Sequence, residues 1–413
     1  MNPAVLQALE FPRILEVLSG CAVTPLGAAR LAGLRPSVDP RRVAHLLAGT
    51  SEGVRFNEQF GGFALMAPAE LTGILGSLAI ESRPLEPLKL LQLADFLESA
   101  DATRAAIKRT ETAFPILKSL AESVASFRSE TAEARHKIDP AGGVIDEASP
   151  ELRNVRERLR RQRARLRGTF ESFLRNKDTA KYLQEQVVTD RNGRFVLVVR
   201  AEHRSSIPGI VHGSSGSGAS LFLEPLSTVE INNDIVALEQ QETEEVRRIL
   251  LQLTDQFRRR ALDLQRTIEA ATELDVIQAK ARFSALVNGV EPVVSNDGAF
   301  ELLAARHPLL IPAVTSRLAD RAAPGAHGST DEPPPVGRKS DPVAVDIKLV
   351  PPTSVLVITG PNTGGKTVAL KTAGLLALMA KTGLHVPRQA APGCRCSGPC
   401  LPISATSSRL PPA

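Results

Sequence analysis

The segment Gly360-x-x-x-x-Gly365-Lys366-Thr367 carries the clearest chemistry in the sequence. Closely spaced glycines let a backbone turn tightly and aim successive N–H groups at phosphate oxygens. A helix opening at Lys366 would add its first-turn donors and the positive end of its dipole to the same anion. The Lys366 ammonium would reach β- and γ-phosphates, and the Thr367 hydroxyl would hold Mg²⁺. Gly360, Pro361, Asn362, Thr363, Gly364, Gly365, Lys366 and Thr367 are therefore the candidate nucleotide-binding residues, with Thr367 the candidate metal ligand.

Positioning such a loop takes a strand before it and a helix after it. The apolar, β-branched run Val355–Ile358 predicts a buried parallel strand. Leu370, Ala373, Ala377 and Leu378 fall at helical spacing, with Gly383 as C-cap. Upstream, Val343–Ile347 reads as a strand and residues 293–314 as compact structure. The Pro- and Gly-rich stretch 316–342 reads as a disordered loop.

The chain has 413 residues, 43% hydrophobic, enough for two to four domains. Tryptophan is absent and Tyr182 is the one tyrosine, so aromatic stacking on bases is sparse. A net charge of +5 is compatible with nucleic acid or ribosome as partner. No run of 18 apolar residues predicts a membrane span. The start, Met1-Asn2-Pro3-Ala4-Val5, lacks the pattern of a signal peptide. With Cys21 alone and Cys394, Cys396 and Cys400 close together near the end, a reducing cytoplasmic setting is expected. The three clustered cysteines lack an evident fourth ligand for a metal.

The fold expected is mainly α with a small β insertion, followed by an incomplete α/β P-loop domain. Residues 1–145 read as a helical core domain, punctuated by Pro36, Pro68, Pro84 and Pro87. Residues 146–186 form a first long helix. Its seam is Leu152, Val155, Leu159, Leu166, Phe170 and Phe173. Its other faces are basic, with Arg158, Arg160, Arg161 and Arg163 at the centre. A phosphate-contacting arm and a solvated charged face are both open readings of this pattern.

Residues 187–226 form a small β tip, with strands at 195–199, 207–212 and 221–224, to which Arg194 and Arg204 add positive charge. His203 and His212 lie nine residues apart without cysteine partners, which argues against a metal site. Residues 227–288 repeat apolar positions without Gly or Pro from Val246 to Ala271 and predict one antiparallel return helix. Residues 289–387 are the first part of the P-loop domain, and 388–413 have no helical or strand period.

The string Thr359-Gly-Pro-Asn-Thr-Gly-Gly-Lys-Thr367 resembles the phosphate loop of MutS-type ATPases, and Arg306-His307-Pro308 upstream is similar to the same family. The opening Glu10-Phe11-Pro12-Arg13-Ile14-Leu15 and the strings 208–212 and 218–225 resemble its second bacterial branch. That resemblance covers about residues 5–387. It implies ATP and Mg²⁺ as cofactors, a homodimer, lever helices ending in a clamp, and branched or mismatched DNA or the ribosome as partner. It also implies suppression of recombination, rescue of collided ribosomes and a C-terminal nuclease domain.

The family pattern stops near Pro387, and the remainder reads as translation out of frame. Phosphoryl transfer also needs an acidic residue ending a second strand, and no apolar run ending in Asp-Glu follows Thr367. The expectation is a fragment that binds nucleotide weakly and hydrolyses it negligibly. The alternative is a non-enzymatic coiled-coil scaffold for DNA or RNA with a vestigial P-loop. A structural-maintenance-type coiled-coil ATPase is disfavoured because the phosphate loop here follows the coiled coil.

Overall fold

The computed structural model describes residues 3–294, 298–322, 342–353, 355–359 and 365–387. Gly360 to Gly364, the predicted loop from 323 to 341 and everything after Pro387, including Cys394, Cys396 and Cys400, lie outside the described residues. The chain divides into two compact units. A core unit comprises residues 1–76, 92–128 and 260–413, and an arm unit comprises 77–91 and 129–259.

In the arm unit, the first long helix runs over Pro150–Arg175, shorter at both ends than the predicted 146–186. Ser149 accepts a 3.0 Å bond from the Leu152 N–H and Pro150 occupies the first turn. The predicted seam holds, with Leu152, Leu159, Leu166 and Phe170 buried. The helix Leu226–Arg259 returns antiparallel to it: Ser149, Arg156 and Arg163 bond in turn to Glu245, Glu242 and Glu239. Its 34 residues span about 51 Å.

Between the two helices lies a four-stranded antiparallel sheet of order β1-β2-β4-β3. The strands are β1 (Leu183–Arg191), β2 (Arg194–Arg200), β3 (Gly209–Ser214) and β4 (Ser220–Pro225). Three of them match the predicted strands. The edge strand β1 was not expected. It is mostly exposed, has two register shifts and lacks alternation. Its legible signal was the turn Asn192-Gly193, both at positive φ (54° and 76°), a dipeptide typical of tight hairpins.

The core unit is built around the helix Ala261–Val287. The predicted single helix over 227–288 is broken at Arg260 (φ −108°, ψ 34°). The break lets Arg260 donate to the Ser126 carbonyl (2.8 Å), pair with Asp263 (2.9 Å) and lie 4.3 Å over the Phe127 ring. Sequence periodicity shows none of these partners.

From Thr267 onward the central helix is buried on almost every side, as expected of a helix at the middle of a core rather than on its surface. Phe283 and Val276 meet Phe11, Ile14 and Leu18 of the helix Phe11–Ser19, and Leu375 and Met379 of the helix Lys366–Lys381, in one cluster. Asp275 is fully buried on it. The carboxylate accepts from the Val23 N–H (3.0 Å), the Thr24 N–H (2.8 Å) and the Thr24 hydroxyl (2.6 Å). Thr24 in turn caps the helix Pro25–Ala32 by accepting from the Gly27 N–H. A side chain at Gly27 would put its Cβ 2.2 Å from the Asp275 carboxylate, so this contact admits only glycine.

Two short antiparallel pairs complete the unit: β5 (Gly289–Val290) with β8 (Val386–Pro387), and β6 (Phe300–Ala305) with β7 (Val345–Leu349). The predicted strand at 343–347 is therefore present as β7. The predicted buried strand Val355–Ile358 is not formed. Residues 355–359 belong to no strand, and Val355 and Val357 are 71% and 76% exposed. A parallel strand needs flanking strands to accept its hydrogen bonds, and among the described residues none lies beside this run. A helix, Pro312–Ala322, occupies the start of the predicted disordered loop. Val314 and Leu318, one turn apart, are buried and hold it to the core.

Asp275→Ala should remove the acceptor of two backbone donors and one hydroxyl. At about 1–3 kcal/mol for each buried donor left unpaired, the loss should exceed about 2 kcal/mol in equilibrium denaturation. A change below about 1 kcal/mol would show that the cap region relaxes independently of Asp275.

Candidate functional site

The candidate nucleotide-binding residues that fall in the described part are Gly365, Lys366 and Thr367, which open the helix Lys366–Lys381. Gly365 stands at its N-terminus in the left-handed region, φ 79°, with nothing within 4 Å of an added Cβ. Thr367 is exposed and Lys366 half-buried. Such a helix start has first-turn donors without intrahelical acceptors, so the three residues fit a phosphate-binding loop with metal at Thr367. Among the described residues no group of three or more His, Cys, Asp or Glu is placed to hold a metal ion.

Helical spacing of Thr372, Leu375, Leu376 and Met379 gives the buried face of this helix. Leu370, read from sequence as part of the apolar face, is instead 59% exposed. Midway, Gly374 is pressed against the chain's first segment, where a Cβ would lie 2.8 Å from Leu9. Lys371 donates to Glu10 (3.2 Å), which also pairs with Arg13 (3.2 Å). The Lys371 ammonium beside it, with Arg13, holds the Glu10 carboxyl below the usual range. Sequence reasoning noted Glu10 and Arg13 only as part of a string, and did not connect them to Lys371.

His307, from the Arg306-His307-Pro308 triplet, lies in the field of Glu10 and Lys371 and is buried. Burial pushes its pKa down. Its Nδ1 has no hydrogen-bond partner among the described residues.

The far end of the helix is locked. Gly383 at φ 78° terminates it, as predicted, with its N–H donating to the Ala380 carbonyl and the Leu384 N–H to that of Met379. The Thr50 hydroxyl donates to the Gly383 carbonyl (2.6 Å), and the Lys280 ammonium to that of Thr382 (2.8 Å). Burial lowers the Lys280 pKa to about 8. Next to it, His385 contacts the hydroxyls of Ser51 at Nε2 (2.8 Å) and Ser284 at Nδ1 (2.9 Å), while Ser51 donates to Glu291 (2.6 Å). Burial also lowers the His385 pKa.

The six arginines read as nucleic-acid contacts divide into three kinds. Arg194 is turned inward onto Glu224, which is 0% exposed and also bonds Asn232 (2.8 Å) and His212 (2.6 Å). A carboxylate so buried requires such partners, so Arg194 serves the interior of the sheet. Arg160 pairs with Asp146 (2.9 Å) and Arg163 with Glu239 (2.6 Å). Arg158, Arg161 and Arg204 are exposed, and of these only Arg161 has an ion pair among the described residues, at 3.3 Å to Glu157.

No family model matches the chain. The chain is 35% identical over 393 residues to the Endonuclease MutS2 of Pelotomaculum thermopropionicum, which covers 94% of this chain and 46% of that protein. It is 36% identical over 396 residues to the Endonuclease MutS2 of Symbiobacterium thermophilum, covering 94% and 45% respectively. Identity to the Putative endonuclease MutS2 of Bacillus subtilis is 34% over 395 residues, covering 94% and 46%. The chain thus spans about half the length of the relatives it matches.

Both buried histidines have lowered pKa values, so the unfolded chain takes up protons first as pH falls. Stability should be intact above the unfolded value near 6.5 and decline below it, by up to about 1.4 kcal/mol per pH unit for each histidine. Urea unfolding at stepped pH values should show the decline, and His385→Gln should reduce its slope. An unchanged slope in the variant would show that His385 takes a proton in the fold as readily as out of it.

Proposed function

Because the chain belongs, over its matched residues, to the MutS2 family, we propose that it is a nucleotide-dependent nucleic-acid-binding protein. The observation that carries this reading is the helix Lys366–Lys381, which has an open, glycine-led N-terminus and a C-terminus fixed by Lys280 and Thr50. Gly365 and Lys366 would hold the phosphates of ATP, and Thr367 would hold Mg²⁺. ATP and its metal, when bound, supply the phosphoryl chemistry and its charge neutralisation. The chain's part is to orient the phosphates along the helix axis. It also ties Lys371 to Glu10 and the helix end to the central helix, so that a change at the phosphates is felt by both.

The arm unit would meet nucleic acid through phosphates rather than base edges, since its exposed cations offer charge and the chain has little aromatic surface. Branched or mismatched DNA and the ribosome are the two partners proposed, with suppression of recombination or rescue of collided ribosomes as the process served. A homodimer in the cytoplasm is proposed with them.

A second reading, a binding scaffold with a vestigial phosphate loop, is favoured by one observation. Val355–Thr359 pairs with no strand among the described residues and is largely exposed.

Titration calorimetry with ATP and Mg²⁺ separates the two. The expected result is weak, saturable binding, abolished by Lys366→Ala. Heat that is identical in wild type and variant would favour the scaffold. Turnover lost in Lys366→Ala would show that the same site also hydrolyses ATP.

A further inference from the structure

The arginines of the helix Pro150–Arg175 are not equivalent, and their ion pairs sort them by face. Arg156 bonds Asp146 (2.8 Å) and Glu242 (2.7 Å), while Arg160 and Arg163 pair with Asp146 and Glu239. That flank is neutralised within the unit.

Arg158, Arg161 and Arg165 follow at i, i+3 and i+7, which aligns them on a different face. All three are exposed. No ion pair is recorded for Arg158 or Arg165 among the described residues. The 3.3 Å contact of Arg161 joins side chains 73% and 47% exposed, and exposed pairs of this kind are weak.

Past Arg165 the same face carries Gly168 and then Ser172. Gly168 lies inside the helix, where glycine weakens helical structure. Nothing stands within 4 Å of an added Cβ, so no packing in the unit asks for a glycine there. Like charges at helical spacing and an unforced glycine both cost stability. A local rule broken with only the weak Glu157 contact to offset it is the mark of a surface kept for function.

We propose that this outward face of the arm, Arg158, Arg161 and Arg165 with the gap at Gly168, docks the phosphate backbone of nucleic acid. The paired Arg160 and Arg163 do not take part. Arg158 and Arg165 are seven residues apart, about 10.5 Å along the axis. Arg161 stands between them, so the three guanidinium groups form one row along a single stretch of backbone. Gly168 lets the sugar–phosphate chain come close to the helix backbone. The contact is independent of sequence, because it reads phosphates only. This inference rests on the nucleic-acid-binding reading and narrows it to three residues and one face.

The test is fluorescence anisotropy of the full chain with labelled DNA duplex and RNA duplex at stepped KCl concentrations. Each phosphate neutralised contributes about −0.9 to the slope of log affinity against log salt. The triple variant Arg158→Gln, Arg161→Gln, Arg165→Gln should therefore flatten the slope by about 2–3. The double variant Arg160→Gln, Arg163→Gln should change it by less than about 1. Gly168→Leu should weaken binding without loss of melting temperature, which reports the close approach separately from charge.

Salt-dependent wild-type binding with an unchanged slope in the triple variant overturns the inference and leaves the broader reading standing. No salt-dependent binding by wild type overturns both. Displacement by polyglutamate as effectively as by nucleic acid would make the face a general polyanion surface, and would also overturn the inference. A preference between the DNA and RNA duplexes that persists in the wild type and is lost in the triple variant supports it and identifies the partner.

Discussion

An ammonium group without access to water, that of Lys280, is the interaction on which the core unit depends. It lies on the central helix and donates to the Thr382 carbonyl at the end of the helix Lys366–Lys381. Burying a cation costs stability, and the lowering of its pKa to about 8 is the sign of that cost. What the contact gives in return is position. A row of leucines could slide by one turn against its neighbours, whereas Lys280 has a partner in one register only. Asp275, five residues earlier on the same helix, does the same for the Val23–Thr24 turn. Ser284, four residues later, does it for His385. The apolar cluster supplies most of the burial, and these polar groups specify which packing is adopted.

In the arm unit Glu224 has the corresponding place. It is sequestered completely, and Arg194, His212 and Asn232 converge on it from β2, β3 and the helix Leu226–Arg259. Glu224 therefore ties the sheet to that helix through side chains that, in sequence, look like surface charge. The Phe222-Leu223-Glu224 string ends a strand, as its apolar run suggested, and its acid is the hub of the tip.

Much of the fold was legible because it rests on local chemistry. The seam of the helix Pro150–Arg175, three of four tip strands and the Gly383 terminus all follow from periodicity or from the φ that only certain residues tolerate. What was missed depends on contacts distant in sequence. The break at Arg260 answers to Ser126 and Phe127, more than 130 residues away. The inward turn of Arg194 answers to Glu224. Of the candidate nucleotide site, spacing pointed to a loop whose residues Gly360 to Gly364 lie outside the described residues, but it did not point to Glu10, Leu9, His307 or Lys280. They meet the helix Lys366–Lys381 from opposite ends of the chain, and no spacing rule connects them. The run Val355–Ile358 failed for a related reason: its residues favour a strand, but a strand is a property of pairs.

The two ends of the helix Lys366–Lys381 are opposite in electrostatic character, and this bears on what the site is for. A helix dipole places about half a negative charge at its C-terminus and half a positive charge at its N-terminus. Here the negative end meets the Lys280 ammonium and accepts from the Thr50 hydroxyl and the Ser37 N–H. It is buried and satisfied. The positive end at Gly365 is exposed, and Val368 and Leu370 beside it are open to solvent. A helix needing only to pack would neutralise both ends or leave both in water. Neutralising one removes the negative potential that would otherwise oppose an anion at the other. It leaves the N-terminus as the one place along the helix where a phosphate is favoured by charge.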